Sequence, residues 1–318
     1  MDTHVKFAGR VDGAPPLCPV TGEPAERLIQ YVPVTLLRLM WRCLGWTDVS
    51  RLFAGIDKVG LWVSPCGLAF FSPAIEGDDA FYKAVYGRFK FHEMLAEIAR
   101  ERPEFIEAAC HVAAGDRVLD AGAGSAGFRH HVEHAEFTGL DPYAETEQEG
   151  VLPEHADTHA ARLPEHYDVV TSFQVMEHTT DPLAFAKTLD ALLKPGGTLI
   201  LGVPLWPSPM TDCLNMPINC PPHHLTWWNA GALTSLAEAL GYEVVDVQEL
   251  PPHRHHDWFH WMPKFTWVKS NGQYYANRIS WHFNFLFSLP LSVLSAKFLG
   301  APKQTKPIDI LLVARKPG

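Results

Sequence analysis

A glycine-rich loop after a short apolar strand constrains the fold of this chain more than any other feature. The loop is residues 120–127, with the sequence DAGAGSAG, and it follows a strand predicted over Arg117 to Asp120. Its glycines let the backbone turn tightly and let a ligand approach without a Cβ in the way. A second predicted strand, Phe137 to Asp141, ends in an acidic side chain about twenty residues downstream, where a carboxylate can accept hydrogen bonds from two ribose hydroxyls. The pattern predicts a ribose-containing cofactor at the end of a parallel sheet.

The first residue of the loop narrows the choice of cofactor. Glycines in this pattern suit NAD, FAD or S-adenosylmethionine equally well. Asp120 lies two residues before the first glycine, where a carboxylate would repel a pyrophosphate but would attract the ammonium and sulfonium groups of S-adenosylmethionine. The N-terminus of the next helix can bind the carboxylate of that cofactor. We predict an S-adenosylmethionine site formed by Asp120, Gly122, Ala123, Gly124, Gly127, Asp141 and Pro142.

The remaining sequence divides into three parts. Residues 76–250, joined by 307–318, alternate helix and strand signals, which is typical of an α/β fold with a parallel sheet. Within them, Asp181 and Asn229 are predicted to cap helices, and Tyr167 to Phe173 is an apolar run typical of a strand covered on both faces. Residues 1–75 are irregular, and residues 251–306 form an insertion rich in His, Trp, Phe and Tyr.

Four segments resemble the class I S-adenosylmethionine-dependent methyltransferases: Arg117 to Gly127, Gly139 to Asp141, Tyr167 to His178, and Leu193 to Pro204. The resemblance implies a Rossmann-like seven-stranded sheet, here with a small N-terminal module and a helical, aromatic cap. It implies that Asp141 binds the ribose and that Gln174 contacts the methionine portion of the cofactor. It also implies an acidic contact to the adenine, for which Asp157 is the first candidate and His159 the alternative.

Two segments are candidates for the acceptor end of the site. Glu177 and His178 follow the fourth core strand, at the sheet edge where open α/β folds bind ligands. In quinone-precursor O-methyltransferases a similar segment holds a divalent metal through two glutamates and a histidine. Gln174 replaces the first glutamate here, so no metal is predicted. The other interpretation is that Glu177 and His178 only fix the loop by hydrogen bonds.

The second segment is the loop of residues 220–228, CPPHHLTWW. A histidine with its ordinary pKa near 6.5 can take the proton of an acceptor hydroxyl at neutral pH. We rank His224 first as this base, then His223 and then His178, with capping or packing on the next helix as the alternative. Trp227 and Trp228 offer flat faces for a sugar or aromatic ring.

The N-terminal segment has a narrower resemblance, to a small zinc-binding module of methyltransferases that act on sugars. Cys18 and Cys66 match one cysteine of each expected pair, whereas Thr21 and Val63 take the partner positions. Two thiolates are too few for a structural zinc site, so a degenerate module without metal is predicted. The resemblance implies that Tyr82 or Tyr86 reaches the acceptor. The histidines between His253 and His260 are predicted to form part of a lid.

The predicted reaction is O-methylation of a sugar hydroxyl in a glycan, glycolipid or nucleotide-sugar. The alternatives are a quinone precursor or other small aromatic acceptor, C-methylation of a keto-sugar, and a non-catalytic protein that binds S-adenosylmethionine within a glycan-assembly complex. A formal net charge of -10 without a Lys/Arg block argues against a nucleic-acid partner.

The predicted location is cytoplasmic. The N-terminus lacks a charged-then-apolar signal pattern, and six cysteines are scattered without a pairing framework. One stretch qualifies this prediction, because Ile279 to Ala296 carries no formally charged residue and is nearly long enough to cross a bilayer. It is interpreted as a buried cap helix or as a peripheral membrane contact through residues 279–300.

Overall fold

The computed structural model describes residues 13–43, 47–89, 96–144 and 150–318, and the Tyr86 side chain lies outside this description. The strands are β1 Arg27–Pro33, β2 Lys58–Val63, β3 Ala69–Ser72, β4 Arg117–Ala121, β5 Glu136–Leu140, β6 Val151–Leu152, β7 Tyr167–Phe173, β8 Leu193–Pro204, β9 Thr226–Trp227, β10 Glu243–Leu250 and β11 Asp309–Arg315. The α-helices are α1 Val34–Cys43, α2 Asp79–Phe89, α3 Pro103–Ala109, α4 Ala156–Arg162, α5 Pro182–Leu192, α6 Ala230–Ala239, α7 Asp257–Trp261 and α8 Ile279–Leu299.

The main sheet has seven strands in the order β10-β11-β8-β7-β4-β5-β6. The pairs from β8 through β6 are parallel, whereas β11 runs antiparallel to both β8 and β10. Helices flank this sheet. The Rossmann-like, seven-stranded fold predicted from the sequence is therefore confirmed.

The central strands are apolar because both of their faces are covered. Leu199, Ile200 and Leu201 of β8 are fully buried, as expected for a parallel strand between layers of helices. The predicted helix starts are also observed: the Asp181 side chain accepts a hydrogen bond from the backbone N–H of Ala184, and Asn229 accepts one from Ala232. These caps fix where α5 and α6 begin, and thus how the chain leaves the carboxyl edge of the sheet.

A second sheet of four antiparallel strands has the order β1-β2-β3-β9. Its last strand comes from the His223–His224 loop, since Thr226 pairs with Phe70 and Trp227 with Ala69. The N-terminal module is thus completed by a strand from the core, and its structure is not confined to residues 1–75. The shared strand ties the predicted acceptor loop directly to the N-terminal sheet.

Cys18 and Cys66, the two cysteines that resemble those of a zinc-binding module, lie side by side. The Sγ atoms of Cys18 and Cys66 are 3.9 Å apart, and the Ser64 hydroxyl lies 3.0 Å from Cys66 Sγ. Both thiols are free. Ser64, and not the neighbouring Val63, thus faces the cysteine pair.

The segment between β10 and β11 folds over the carboxyl edge of the main sheet. It contains α7 and α8, and an apolar cluster joins them to the loop after β8 through Met210, Met216, Phe259 and Phe285. Among the helices the structure describes, α8 is the one that is long and apolar enough to cross a membrane. This segment forms one wall of the cavity described next.

Candidate functional site

A cavity of about 640 Å³ lies at the carboxyl ends of β4, β5, β7 and β8. This is the position at which open α/β sheets bind ligands. One end is lined by the glycine-rich loop and Asp141, and the other by Glu177, His178, His223 and His224. The cavity therefore brings the predicted cofactor and acceptor segments into one space.

The cofactor end is organised by Asp141. One carboxylate oxygen accepts a hydrogen bond of 2.9 Å from the Gly124 backbone N–H, and the other accepts one of 2.9 Å from Tyr143. Each oxygen keeps a further lone pair that can accept from a ribose hydroxyl. Asp141 thus holds the glycine-rich loop in shape and faces the ligand, together with Ala123, Gly127 and Pro142 of the cavity lining.

Gly122 is required at its position for two reasons. Its φ angle is +82°, a conformation that side-chain-bearing residues rarely adopt, and a Cβ there would lie 2.3 Å from Cγ2 of Val175. Val175 belongs to the loop after β7. The two loops that follow β4 and β7 therefore touch at the floor of the cavity.

Asp120 is a buried carboxyl group at the end of β4. It accepts a 2.9 Å hydrogen bond from the Thr171 hydroxyl, and burial raises its pKa to about 7. A cation beside a carboxyl group favours its ionised form. The ammonium or sulfonium group of S-adenosylmethionine would therefore be stabilised here and would return Asp120 to the carboxylate.

Three further polar residues of the cavity were missed by sequence reasoning. Arg102 and Glu104 form a buried ion pair, with Nε 2.8 Å from Oε1, and the Asp309 carboxylate accepts a 3.0 Å hydrogen bond from the Gln174 side chain. Burial raises the pKa of Asp309 to about 8. The sequence could have identified Asp309, because it is an acidic residue directly before the apolar run of β11. No sequence pattern identifies Arg102, since it precedes the recognised motifs.

Neither residue predicted to contact the adenine lines the cavity. Asp157 is exposed and accepts a hydrogen bond from the neighbouring Thr158 N–H. His159, the alternative, is buried against the Tyr167 hydroxyl and Glu154. Neither lines the cavity, whereas Glu154, His155 and Ala156 do. The reason is that α4 begins at Ala156 and turns the next side chain towards solvent.

The acceptor end holds four side chains from two segments that lie far apart in the sequence. The His178 Nε2 atom is 3.7 Å from Oε1 of Glu177, and the His224 Nε2 atom is 4.0 Å from the same oxygen. The rings of His223 and His224 stack at 4.6 Å between centroids. The structure thus brings the four predicted catalytic side chains into one cluster, which we call the histidine–glutamate cluster.

Backbone carbonyls orient two of these imidazoles. The Nδ1 atom of His178 lies 2.8 Å from the carbonyl oxygen of His223, and Nδ1 of His223 lies 3.0 Å from that of Ile218. A nitrogen facing a carbonyl must carry the hydrogen, so the Nε2 atom of each ring carries the lone pair. Both rings are thereby held as acceptors on their cavity side.

The cluster carries no net charge near neutral pH. Burial raises the pKa of Glu177 to about 8 and lowers that of His178 to about 4. The pKa values of His223 and His224 are lowered well below their ordinary value for the same reason. Neither Glu177 oxygen has a hydrogen-bond partner among the residues described. A cation that entered the cluster would favour the ionised form of Glu177.

The donor set also fits a divalent metal ion. The ligand nitrogens of His178, His223 and His224 lie within 4.8 Å of one another, and imidazole is a preferred ligand of zinc. Two of the rings have the outer carbonyl partners that metal-binding histidines use. A second group, His253, His256 and Asp309, meets the same distance criterion. That no metal binds here therefore stays a prediction.

The aromatic residues around the acceptor differ from those predicted. Trp227 packs within the N-terminal sheet and Trp228 within the main core, and neither lines the cavity. Trp41, Tyr82 and Trp258 take that position. Trp227 lies in β9 and Trp228 directly follows it, so the two side chains point into opposite cores. The prediction for Tyr82 agrees with this geometry, as its ring lies 6.0 Å from that of His178.

Comparisons with known proteins give the family of the chain. A family model described as "Methyltransferase domain" matches residues 86–247. The ubiquinone biosynthesis O-methyltransferase of Klebsiella pneumoniae is 36% identical over 97 residues, which are 26% of this chain and 40% of that protein. The chain thus spans about two fifths of that relative's length, and much the same share of its counterpart from Yersinia pestis, which is 35% identical over 95 residues.

Two solved structures are similar at low identity. A SAM-dependent methyltransferase from Archaeoglobus fulgidus is 18% identical, with 71% of this chain and 94% of that chain covered and a TM-score of 0.42. One from Mesorhizobium loti is 15% identical, with 69% and 100% covered and a TM-score of 0.41. The family model covers half of the chain. The chain therefore belongs to the methyltransferase domain family, with S-adenosylmethionine as its methyl donor.

Proposed function

We propose that the protein methylates a hydroxyl group on a small, largely apolar acceptor, such as a phenol or quinone precursor, with His224 as the general base. The observation that carries this proposal is the histidine–glutamate cluster beside an apolar wall of the cavity. It supplies a proton acceptor at one defined place.

The cavity walls favour an apolar acceptor over a sugar. Beyond the cluster, the acceptor end is lined by Met210, Met216, Ile218, Phe259 and Phe285. A sugar buried there would leave most of its hydroxyl groups without hydrogen-bond partners, which is costly. An aromatic ring with one reactive hydroxyl would bury its faces against these side chains. The sugar acceptor that the sequence places first is therefore less well supported than its alternative.

The curated relatives support the same choice by their names alone. They are ubiquinone biosynthesis O-methyltransferases, so their shared segment belongs to enzymes of aromatic hydroxyl methylation. Because that segment is a minor part of each protein, the acceptor of this chain remains a proposal of its own.

Each part of the site would have a separate role in methyl transfer. S-adenosylmethionine supplies an electrophilic methyl group when bound. The glycine-rich loop and Asp141 fix the position of that ligand, and apolar walls keep water from the reacting atoms. His224 takes the hydroxyl proton at Nε2. Glu177 Oε1 lies 4.0 Å from this nitrogen. A positive charge on His224 would favour the ionised form of Glu177, and the carboxylate would in turn stabilise the imidazolium.

Transfer of labelled methyl groups tests the proposal. Wild-type protein is incubated with labelled S-adenosylmethionine and, separately, with catechols, phenolic quinone precursors and nucleotide-sugars. We expect label in the phenolic products, and a loss of about 100- to 1,000-fold in kcat for His224→Ala with unchanged cofactor affinity. His130→Ala, which removes an exposed histidine, is the matched control.

Three results would contradict the proposal in different ways. Label only in sugars would restore the glycan acceptor. Cofactor binding without transfer to any acceptor would favour the non-catalytic role. Full activity of His224→Ala would move the base to His223 or His178, which the corresponding alanine variants would then identify.

A further inference from the structure

Helix α8 buries several polar side chains and exposes many apolar ones. Asn284, Ser288 and Ser292 are buried against the protein, together with Trp281 and Phe285. The outward side chains are apolar and 47–76% exposed: Ile279, Phe283, Leu286, Phe287, Val293, Leu294, Phe298 and Leu299. A surface helix in water buries its apolar stripe and exposes its polar one. The outer face of α8 is therefore suited to an apolar environment.

Hydrogen bonds fix the helix in this orientation. Asn284 accepts a 3.1 Å bond from the Trp267 backbone N–H, and the Ser288 hydroxyl donates a 3.2 Å bond to the Phe265 carbonyl. Rotation of α8 about its axis to bury the apolar face would break both hydrogen bonds. No other polar side chain of the helix would replace Asn284 and Ser288 in them. The exposed apolar face is thus a stable feature of the fold.

The same contacts hold α8 along the protein and not across a bilayer. Bonds from Asn284 and Ser288 anchor its middle, and the Trp261 indole N–H donates a 2.9 Å bond to the Gly300 carbonyl just past its end. Phe285 packs into the cluster with Phe259 and Met262. A helix bound along its length on one side can lie in a membrane interface with the other side down.

The charge around α8 specifies the partner. Residues 251–306 contain seven Lys and Arg residues and one acidic residue, Asp257, in a chain with a net charge of -10. All seven basic residues are exposed: Arg254, Lys264, Lys269, Arg278, Lys297, Lys303 and Lys306. Arg254 forms an ion pair with Glu101, so the attraction to lipid headgroups rests on the other six. Basic residues beside an apolar face attract anionic lipid headgroups. We propose that the outer face of α8 docks on an anionic lipid bilayer, with the protein on one side of the membrane.

The docked helix would also form the entrance for the acceptor. Phe285 and Leu289 line the cavity from the inner side of α8, whereas Phe283 and Leu286 lie on its outer side. One helix thus separates the cavity from the lipid. An apolar acceptor dissolved in the bilayer would reach the cavity past α8; this last step rests on the function proposed above, whereas the docking does not.

Flotation with vesicles tests the docking. Full-length protein is mixed with phosphatidylcholine vesicles, with and without phosphatidylglycerol, and bound protein is measured after centrifugation through a density gradient. We expect binding that needs the anionic lipid and weakens with salt. The variant Phe283→Gln/Leu286→Gln/Leu294→Gln should bind about 100-fold more weakly.

The control variant removes exposed apolar side chains elsewhere. Ile106 and Val245 are 47% and 52% exposed, and Ile106→Gln/Val245→Gln should float like wild type. Cofactor affinity should be unchanged in both variants, which shows that they are folded. Wild-type protein that stays at the bottom of the gradient, or a triple variant that floats as well as wild type, would overturn the proposal.

Two further measurements test the alternatives to surface docking, which are a second copy of the protein on this face and a helix that spans the bilayer. Sedimentation velocity without lipid should show a monomer; a dimer that the triple variant abolishes would assign the face to a second copy and overturn the proposal. Alkaline carbonate should release vesicle-bound protein, whereas retention would indicate a spanning helix. Vesicle binding without methyl transfer would count against the proposed function alone.

Discussion

Glu177 lies with both carboxylate oxygens buried among imidazole rings that are neutral near pH 7. A buried carboxyl group without partners costs stability once it ionises. The same arrangement gives an incoming proton on His224 a strong electrostatic partner. Glu177 thus lowers the stability of the protein without bound ligands and favours proton transfer to His224.

Glu177→Gln should therefore stabilise the protein and inactivate it. The folded-state pKa of Glu177 is about 8 against an ordinary 4.5, so the folded state binds its proton more tightly than the unfolded state does. Stability present at low pH is lost as pH rises from about 4.5 to 8. Glu177→Gln does not have this loss. Its free energy of unfolding should therefore exceed that of wild type by roughly 3 kcal/mol at pH 8 and by little at pH 4.

Thermal and urea unfolding across this pH range, with kcat measured at pH 7, would check the expectation. Glu133→Gln, at an exposed site, is the control and should change neither quantity. A glutamine variant that is less stable than wild type at pH 8 would mean that a cation already compensates Glu177, and removal of that ion with a chelator should then change wild-type stability.

Asp141 and Asp157 provide a second comparison of single residues. Asp141 bonds the Gly124 N–H inside the cavity, whereas Asp157 lies outside it. Asp141→Ala should weaken S-adenosylmethionine binding by about 100-fold through lost ribose contacts and a relaxed loop, and Asp157→Ala should leave it unchanged. Isothermal titration calorimetry measures both. A comparable loss in the two variants would return Asp157 to the site.

Backbone geometry decided which predicted site residues line the cavity. Asp120 and Asp141 do so because each lies at the end of a strand next to the glycine-rich turn, where the chain has little freedom. Asp157 does not, because its position depends on which face of a short helix points inward, and a shift of one residue reverses that face. Arg102 reaches the cavity through tertiary packing that no local pattern records.

At the level of secondary-structure elements, the loops after β4 and β7 pack against each other through Gly122 and Val175. The sequence identifies each loop by its motif, but their contact depends on the strand order β7-β4-β5. The class I resemblance supplied that order. The shared strand β9 was not foreseen, since two residues are too short to produce a strand signal.

Gly122→Ala should reduce stability by roughly 2 kcal/mol and weaken cofactor binding at the same time. It adds a Cβ 2.3 Å from Val175 Cγ2 at a positive φ angle. Gly122→Ala/Val175→Ala removes the clash but keeps the backbone strain, so it should recover part of the loss. Urea unfolding and calorimetry on both variants test this, and equal losses in the single and double variants would exclude the loop contact as the cause.

At the scale of the whole molecule, the N-terminal sheet and the cap enclose the cavity from two sides of the Rossmann-like core. The Trp41 indole N–H donates a 3.0 Å bond to the Pro221 carbonyl, and the Phe71 backbone N–H donates one of 2.9 Å to Leu225. Both bonds hold the loop that carries His223 and His224. The N-terminal module thus positions the proposed base from outside the core.

Trp41→Phe should lower kcat by about tenfold while leaving S-adenosylmethionine affinity unchanged. A smaller aromatic ring replaces the indole, the Pro221 carbonyl loses its donor and the histidine loop loosens. Trp62→Phe, in a separate apolar cluster of the same module, is the matched control and should affect stability only. Steady-state kinetics with calorimetry distinguish the two, and equal kcat values for both variants would exclude a positioning role for Trp41.

The strand that the two sheets share also limits how this protein can be rearranged. The edge of β3 is covered by Thr226 and Trp227 of β9, so an N-terminal segment transplanted onto another core would present an unpaired strand edge, a template for aggregation. A core without its own N-terminal segment would lose the partner of its histidine loop. Recombination between relatives should therefore keep both segments together. Acceptor choice should be inherited with the N-terminal module, although that module lies far in sequence from the residues proposed to carry out the reaction.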